Sequence, residues 1–489
     1  MKKIVIKLFS LFALFVGVAS CEDQLDINRD PDSLAQSGVA VSTEFPTAIT
    51  GVVGAQGSYA ALFGGFWSQY WTQSNAANQY KTIDDYSILG TSSMINGLYR
   101  NMFDALGDAR NVKRIALEQE NWDYYLMATV LETYGSQILV DFYDKIPYEE
   151  ANNTAILSPQ FNDGPAVYDL MIADLDEALS KDLSTSMGET PAIDDLIFGG
   201  DMSKWVAFAN TLKLKIYLRQ ENARPGVASS GINSLLTTDA TFLNEDASLT
   251  QFEDASDKSN PLFESNERQL NVATNLRAST TLYSYLLENI DPRLEAFYEA
   301  GSPLNQGDYN SAAAPSSIAV VNLMPTTAVY LLSREESLFM QAEAQLKYGS
   351  DAIAKENYDA AVIEAFSKFS LAEVALDGMS FVAPGGEYAY PTSGSEQAKL
   401  KAIIMQKWVS GFPGNGFDAF FDTNRTGYPE KSSVAQSSAS YVPGTLAYPV
   451  NGVTGGKFPM RLPFPSDVRA RNSNAPGNVA LTTPIWWVN

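Results

Sequence analysis

Residues 331–369, LLSREESLFMQAEAQLKYGSDAIAKENYDAAVIEAFSKF, decide the fold class of this chain. Apolar residues recur three or four positions apart on both sides of Gly349, which is the spacing of one face of an α-helix. They are Leu331, Leu338, Phe339, Ala342 and Leu346, then Tyr358, Ala361, Val362, Ala365, Phe366 and Phe369. Because a glycine interrupts the two runs, the stretch predicts two helices joined by a short turn.

The second helix of this pair also carries small and aromatic residues at a particular spacing. Tyr358, Ala361, Ala365 and Phe369 follow the pattern of the second helix of a tetratricopeptide repeat. Such repeats have a period of about 34 residues. The match here is degenerate, so it indicates helix pairs that stack rather than a regular array.

The same periodicity predicts further helices along the chain. One covers residues 95–106, one begins at Pro165 after Asp163, one begins near Ser203 and a last long one covers 396–409. Proline is favoured at a first helical position, which supports the second of these starts. The sequence therefore predicts a mostly α-helical protein.

Long irregular stretches separate these helices. They cover residues 24–41, 220–275, 301–317, 381–395 and 412–479 and are rich in polar, Gly or Pro residues. Loops of more than about 15 residues are uncommon unless they serve binding. No linker divides the rest of the chain, so we expect one α-helical domain over 42–489 with long decorating loops.

The N-terminus has the pattern of a secretory signal. Lys2, Lys3 and Lys7 precede an apolar run over residues 8–18. This run is too short for a membrane-spanning helix, which needs about 20 residues. The run ends in Val18-Ala19-Ser20-Cys21, which resembles the lipobox of bacterial lipoproteins. This predicts a signal peptide over 1–20, a lipidated Cys21 and a tether over 21–41. The alternative is an ordinary signal peptide that happens to end at a cysteine.

Cys21 is the only cysteine of the chain, so it is free for lipidation. Acyl chains on this residue would hold a soluble body on a membrane. Glu22 and Asp23 follow directly and resemble the surface-export signals of Bacteroidetes lipoproteins. We therefore expect an outer-membrane lipoprotein that faces the outside of the cell.

The charge balance excludes some partners. The chain has 33 Lys and Arg against 57 Asp and Glu, a formal net charge of -24. Nucleic-acid binding needs clustered Lys and Arg to contact phosphates, so no nucleic-acid partner is expected.

Composition also narrows the possible catalysis. The chain has no histidine, which excludes Ser-His-Asp catalysis and histidine-based metal sites. No phosphate-binding glycine loop is present. A pair of carboxylates for glycoside hydrolysis remains an alternative, but no pair stands out. We expect a protein that is not an enzyme and has no cofactor, with a structural Ca²⁺ ion left open.

Several segments carry a family resemblance. They are 205–219, 291–294, 339–344, 404–409, 417–422, 425–429 and 461–465. Their order and spacing, from the lipobox to Trp486 and Trp487, resemble the SusD/RagB family. The resemblance implies an α-helical fold with tetratricopeptide-like helix pairs. It also implies a lipoprotein that covers a TonB-dependent, SusC-like transporter of the outer membrane. Members bind oligosaccharides, and those of the RagB type serve peptide uptake.

For a sugar ligand, the segment 66–80 has both ring platforms and amides. The candidate ligand-binding residues are Trp67, Tyr70, Trp71, Gln73, Asn75 and Tyr80, with Asn78 and Gln79 as further amides. The alternative is core packing, because the earlier rings also follow helical spacing. A second candidate rim contains Asn260, Asn266, Arg268 and Asn275, and Tyr388 and Tyr390 are further candidate rings.

Overall fold

The computed structural model describes residues 40–238, 240–270, 274–369 and 377–488. The predictions for the signal peptide, for Cys21 and for the tether up to residue 39 lie outside the described residues.

The described chain consists mainly of α-helices. In chain order they are α1 Val41–Ala55, α2 Ala61–Trp67, α3 Lys81–Asp84, α4 Ser93–Glu118, α5 Trp122–Tyr143, α6 Gly164–Leu179, α7 Met202–Arg219, α8 Pro225–Thr237, α9 Pro261–Phe263, α10 Thr280–Glu288, α11 Arg293–Phe297, α12 Arg334–Tyr348, α13 Asp351–Lys368, α14 Gly378–Val382, α15 Glu396–Ser410, α16 Gly416–Thr426 and α17 Ser466–Arg471. Gln56–Ala60 and Glu264–Arg268 are π-helical turns, and Leu183–Thr185 and Pro315–Ser317 are 3₁₀ turns. The predicted mostly α-helical class is confirmed.

Polar side chains fix the starts of several helices. The Ser92 hydroxyl accepts a hydrogen bond from the Met94 amide at the start of α4, and Asn121 accepts one from Tyr124 at the start of α5. Ser333 and Ser395 cap α12 and α15 in the same way. Each cap satisfies a backbone amide that the helix itself leaves without a partner.

The predicted helix pair of residues 331–369 is α12 and α13, with the break at Gly349, and the two helices pack against each other. One residue differs from the prediction: Leu331 lies in strand β6, Val329–Leu332. Because Ser333 caps the helix, the residues before it are extended. Similar packing joins α4 to α5, α1 to α4 and α5 to α6.

Two stretches predicted as irregular contain helices. Residues 220–275 include α8, whose first turn contains Pro225, and residues 412–479 include α16 and α17. Helix α16 buries Phe417 and ends at Gly427, which has a φ of 81°. Glycine adopts this left-handed conformation easily, which explains the sharp end.

Three two-stranded antiparallel sheets join distant parts of the chain. Besides β6 the strands are β1 Trp71–Gln73, β2 Lys145–Ile146, β3 Asn162–Asp163, β4 Ala247–Leu249 and β5 Leu276–Ala278. Strand β1 pairs with β5, β2 with β3 and β4 with β6. In the first pair Trp71 lies opposite Ala278, and Gln73 lies opposite Leu276. None of the described helices is long and apolar enough to cross a membrane.

Candidate functional site

The aromatic residues predicted as ring platforms lie in the protein core. Trp67 is 2% exposed, and Tyr70 and Trp71 are fully buried. A sugar ring needs an open aromatic face, and these rings present none to solvent. Their burial corrects the ligand-binding prediction and favours the alternative of core packing.

The packing around Trp71 explains this burial. A Cβ atom at Gly65 would lie only 1.9 Å from Cζ2 of the Trp71 indole, so the ring lies directly against the backbone of α2. The Tyr70 hydroxyl donates a hydrogen bond to the Trp408 carbonyl on α15. The ring centroids of Trp67 and Phe420 are 4.9 Å apart. Through these rings the end of α2 packs against α15 and α16.

Tyr80 is also buried, with 4% of its surface exposed. Its ring contacts that of Phe66, with a centroid distance of 5.7 Å. Burial raises the pKa of the Tyr80 phenol, so the ring stays neutral. The Tyr80 ring therefore packs in the core at the end of the segment 66–80 and does not offer a face to a ligand.

Gln73 is buried and shapes the loop that follows β1. Its Oε1 accepts a 2.6 Å hydrogen bond from the Tyr80 amide, which closes the loop 74–79. The carboxylate of Asp84 accepts hydrogen bonds from the Gln73 amide at 2.8 Å and from the Thr72 hydroxyl at 2.7 Å. Burial raises the pKa of Asp84 to about 7, although these hydrogen bonds lower it. Gln73 is therefore a positioning residue beneath the loop.

The loop 74–79 is held from two sides. The Asn75 side-chain amide donates to the carbonyls of Ser311 at 3.0 Å and Ala313 at 2.8 Å. The Ser74 amide donates to the Asn275 carbonyl at 2.8 Å, extending the β1–β5 pairing. Asn275 belongs to the second candidate rim, so the structure brings that rim and the first candidate segment together.

An open cavity of about 490 Å³ lies where these segments meet. It is lined by Asn75, Ala76, Ala77, Asn78, Gln79, Lys81, Gln269, Leu270 and Asn275. The side chains of Asn78, Gln79 and Gln269 are exposed and present primary amides to this cavity. Primary amides both donate and accept hydrogen bonds, so this wall is suited to a ligand rich in hydroxyl groups.

The rest of the second rim has structural roles. The Asn260 side chain caps α9 and donates to the Thr327 carbonyl at 2.9 Å. Arg268 forms an ion pair with Asp254. Asn266 is buried, with 1% of its surface exposed. Of the four predicted rim residues, only Asn275 lines the cavity.

Tyr388 and Tyr390 are each 5% exposed. The Tyr388 hydroxyl donates to Asp291 at 2.7 Å, and the Tyr390 hydroxyl donates to Asp351 at 2.9 Å. Tyr388 lines a second cleft of about 250 Å³, together with Tyr285. Their burial and engaged hydroxyls favour packing roles over ring platforms.

Two polar cavity residues were not among the sequence candidates. Lys81 follows the predicted segment directly, and Gln269 precedes Asn275 in the second rim. The polarity of both segments was a usable signal, but only the tertiary structure shows that Gln269 lines the same cavity as the loop 74–79.

The comparisons with known proteins agree with this fold. A family model described as "Starch-binding associating with outer membrane", SusD-like, matches residues 38–449. No curated protein matches the chain.

Solved structures show the same architecture. A SusD/RagB family protein from Bacteroides thetaiotaomicron has a TM-score of 0.76 at 18% identity, covering 92% of this chain and 99% of that chain. A chitin-binding SusD homolog from Flavobacterium johnsoniae has a TM-score of 0.70 at 19% identity, covering 91% and 99%. A SusD homolog from Bacteroides uniformis has a TM-score of 0.69 at 21% identity, also covering 91% and 99%. At these identities the likeness shows a shared fold. Because the family model covers most of the chain, this protein belongs to the SusD-like family, which is described as "Starch-binding associating with outer membrane".

Proposed function

We propose that this protein binds oligosaccharides in the amide-lined cavity and delivers them to a TonB-dependent, SusC-like transporter in the outer membrane. The observation that carries the proposal is the group of exposed amides of Asn78, Gln79 and Gln269 on one open cavity. Sugar hydroxyls both donate and accept hydrogen bonds, as these amides do.

The family supports the carbohydrate ligand. Its description names starch binding, and two structurally similar proteins are described as chitin-binding. These ligands are glycans of different sugars, so they support the ligand class rather than one sugar. The proposed ligand is therefore an oligosaccharide.

The cavity lining favours binding over hydrolysis. Glycoside hydrolysis uses two carboxyl groups about 5–9.5 Å apart. The polar side chains among the described residues that line this cavity are amides and the ammonium group of Lys81, and none is Asp or Glu. The protein is therefore proposed as a non-catalytic binder.

The proposed location follows from the N-terminus and from the family. The sequence up to Cys21 resembles a lipoprotein signal, and the family is described as associating with the outer membrane. A lipid on Cys21 would anchor the binding body beside the transporter. The surface-export resemblance of Glu22 and Asp23 supports an outward orientation.

Calorimetric titration of residues 22–489 against a panel of oligosaccharides and peptides tests the ligand class. We expect saturable heat with a glycan and no product afterwards. In the double variant Asn78→Ala/Gln79→Ala the affinity should fall about tenfold or more, because each lost hydrogen bond is worth about 0.5–1.5 kcal/mol.

The control is Asn233→Ala, which removes an exposed amide on α8 and should leave the affinity unchanged. Heat with peptides alone would move the protein to the peptide-binding, RagB-like function. Full affinity in the double variant would place the ligand elsewhere on the protein.

A further inference from the structure

The charge of the cavity wall differs from that of the whole chain. The chain has 57 acidic residues against 33 basic ones, yet Lys81 is the only ionisable side chain among the described residues that line the cavity. Asp and Glu are otherwise the common charged residues of this protein. Lys81 is therefore the one charged group on the described wall of this cavity.

Lys81 is not neutralised by an ion pair. Most other lysines of the described chain contact a carboxylate, as Lys113 and Lys204 do. Among the described residues Lys81 has no such partner, and its ammonium lies 4.8 Å from the centroid of the Tyr309 ring. An aromatic face stabilises a cation without cancelling its charge.

Tyr309 is itself fixed in place. Its hydroxyl donates a 2.8 Å hydrogen bond to the Asp85 carboxylate, which also accepts the Ser87 amide at 2.9 Å. This bond holds the ring under the Lys81 ammonium. The Tyr309 ring therefore offers the Lys81 ammonium an aromatic face that is itself held by a hydrogen bond.

A second cation lies beneath the same loop. The Arg277 guanidinium is 5% exposed, donates to the Ile318 carbonyl at 2.8 Å and lies 3.4 Å from the Ser74 hydroxyl through its Nε. No carboxylate of the described residues lies within ion-pair distance of it. The Glu299 carboxylate interacts electrostatically with Arg277 and offsets part of its charge, so Lys81 remains the cation that faces the cavity.

Four acidic residues lie near the wall but are not among the described residues that line the cavity: Asp84, Asp85, Glu267 and Glu299. Asp84 is fully buried and accepts hydrogen bonds from Thr72, Gln73 and Gln306. Asp85 is engaged by Tyr309 and Ser87. Neither carboxylate lines the cavity.

We propose that this cavity takes an oligosaccharide that carries an anionic group, a uronate carboxylate or a sulfate ester, with Lys81 as its charge partner. The inference rests on the proposed function, because the amides of Asn78, Gln79 and Gln269 would hold the hydroxyls of the same ligand. A charge-assisted hydrogen bond is about twice as strong as a neutral one, so charge on the ligand should select among sugars of equal size.

Matched pairs of sugars test the proposal on residues 22–489. Calorimetry would compare oligogalacturonides with their methyl esters, and sulfated oligosaccharides with their desulfated parents. We expect the anionic member of a pair to bind about tenfold more tightly than its neutral partner. The pair that shows the preference identifies carboxylate or sulfate as the anion.

The variants Lys81→Gln and Lys81→Arg separate charge from fold. We expect Lys81→Gln to remove the preference while binding of the neutral partner is retained, and Lys81→Arg to keep it. The preference in the wild type should also decrease as salt rises from 50 to 500 mM.

Equal binding of anionic and neutral partners, or a preference that survives in Lys81→Gln, would overturn the inference and leave the proposed function intact. Binding of neutral sugars alone would also overturn the inference and leave the proposed function intact. If no saccharide in the panel binds, the inference and the proposed function both fail.

Discussion

The Asp418 carboxylate lies 2.6 Å from the Lys215 ammonium, although 203 positions separate them in the chain. This buried ion pair joins α7 to α16. Arg219, one turn further along α7, donates to Asp418 and to Asp422, each at 3.0 Å. Charged groups are thus shared between helices in the protein core, where an unpaired charge is costly.

Removal of the Asp418 charge should destabilise the fold strongly. In Asp418→Asn, Lys215 and Arg219 lose one of their carboxylate partners inside the protein. Breaking one side of a buried pair costs about 3–5 kcal/mol. The free energy of unfolding from urea denaturation measures the effect.

The control for Asp418→Asn is Asp176→Asn. Asp176 pairs with Lys213 at 2.5 Å, but its side chain is 55% exposed. Exposed pairs contribute at most about 1 kcal/mol. Equal losses in the two variants would contradict the role of the buried network.

Asp84 should make the stability depend on pH. Burial raises its pKa to about 7 in the folded chain, against about 3.9 in an unfolded one. The folded state therefore holds the proton more tightly, and stability falls as pH rises from about 4 to about 7, by at most about 1.4 kcal/mol per pH unit.

Asp84→Asn should remove this contribution. Urea denaturation at pH 4.5, 6 and 8 would show the wild type losing stability relative to the variant as pH rises. The exposed Asp467→Asn is the control and should follow the wild type. Parallel pH profiles for wild type and Asp84→Asn would contradict the assignment.

Two glycines test the packing beneath the site. In Gly65→Ala the new Cβ would collide with the Trp71 indole, whereas at Gly54 a Cβ meets nothing within 4 Å. We expect Gly65→Ala to lower the free energy of unfolding by about 1–3 kcal/mol through overpacking. Gly54→Ala should raise it by about 0.5–1 kcal/mol, because alanine favours the helix. Thermal unfolding of both variants measures this, and a stable Gly65→Ala would place Trp71 outside the core.

Cys21→Ala should release the protein from membranes. Without the thiol no diacylglycerol can be attached, and the described residues contain no spanning helix. Membrane fractionation and labelling with radioactive palmitate would compare the variant with the wild type. Tight membrane association of Cys21→Ala would contradict the lipobox interpretation.

Helix positions were largely readable from the sequence. The pair of helices around Gly349 and the helix that begins near Pro165 follow from apolar spacing and local breaks, which depend on neighbours in the chain. The sequence predicted a helix at Leu331 and an irregular stretch at α16, whereas the structure has a strand and a helix there. The helix cap at Ser333 and the burial of Phe417 decide these two segments.

The candidate site was readable only in part. The segment 66–80 was recognised for its rings and amides, but its rings are core residues and its amides reach the cavity. In a single sequence a tryptophan of the core and a tryptophan of a binding site have the same spacing. The full burial of Trp71 and the close approach of Gly65 show that this tryptophan belongs to the core.

The sequence by itself determined the helical class, the family and the lipoprotein pattern, because these depend on local periodicity and on short motifs. The tertiary structure decided which polar groups are buried and which face a ligand. Lys215 is buried beside Asp418, whereas Lys81 lines an open cavity. Both are lysines on helices, and only contacts across some 200 residues of chain distinguish them.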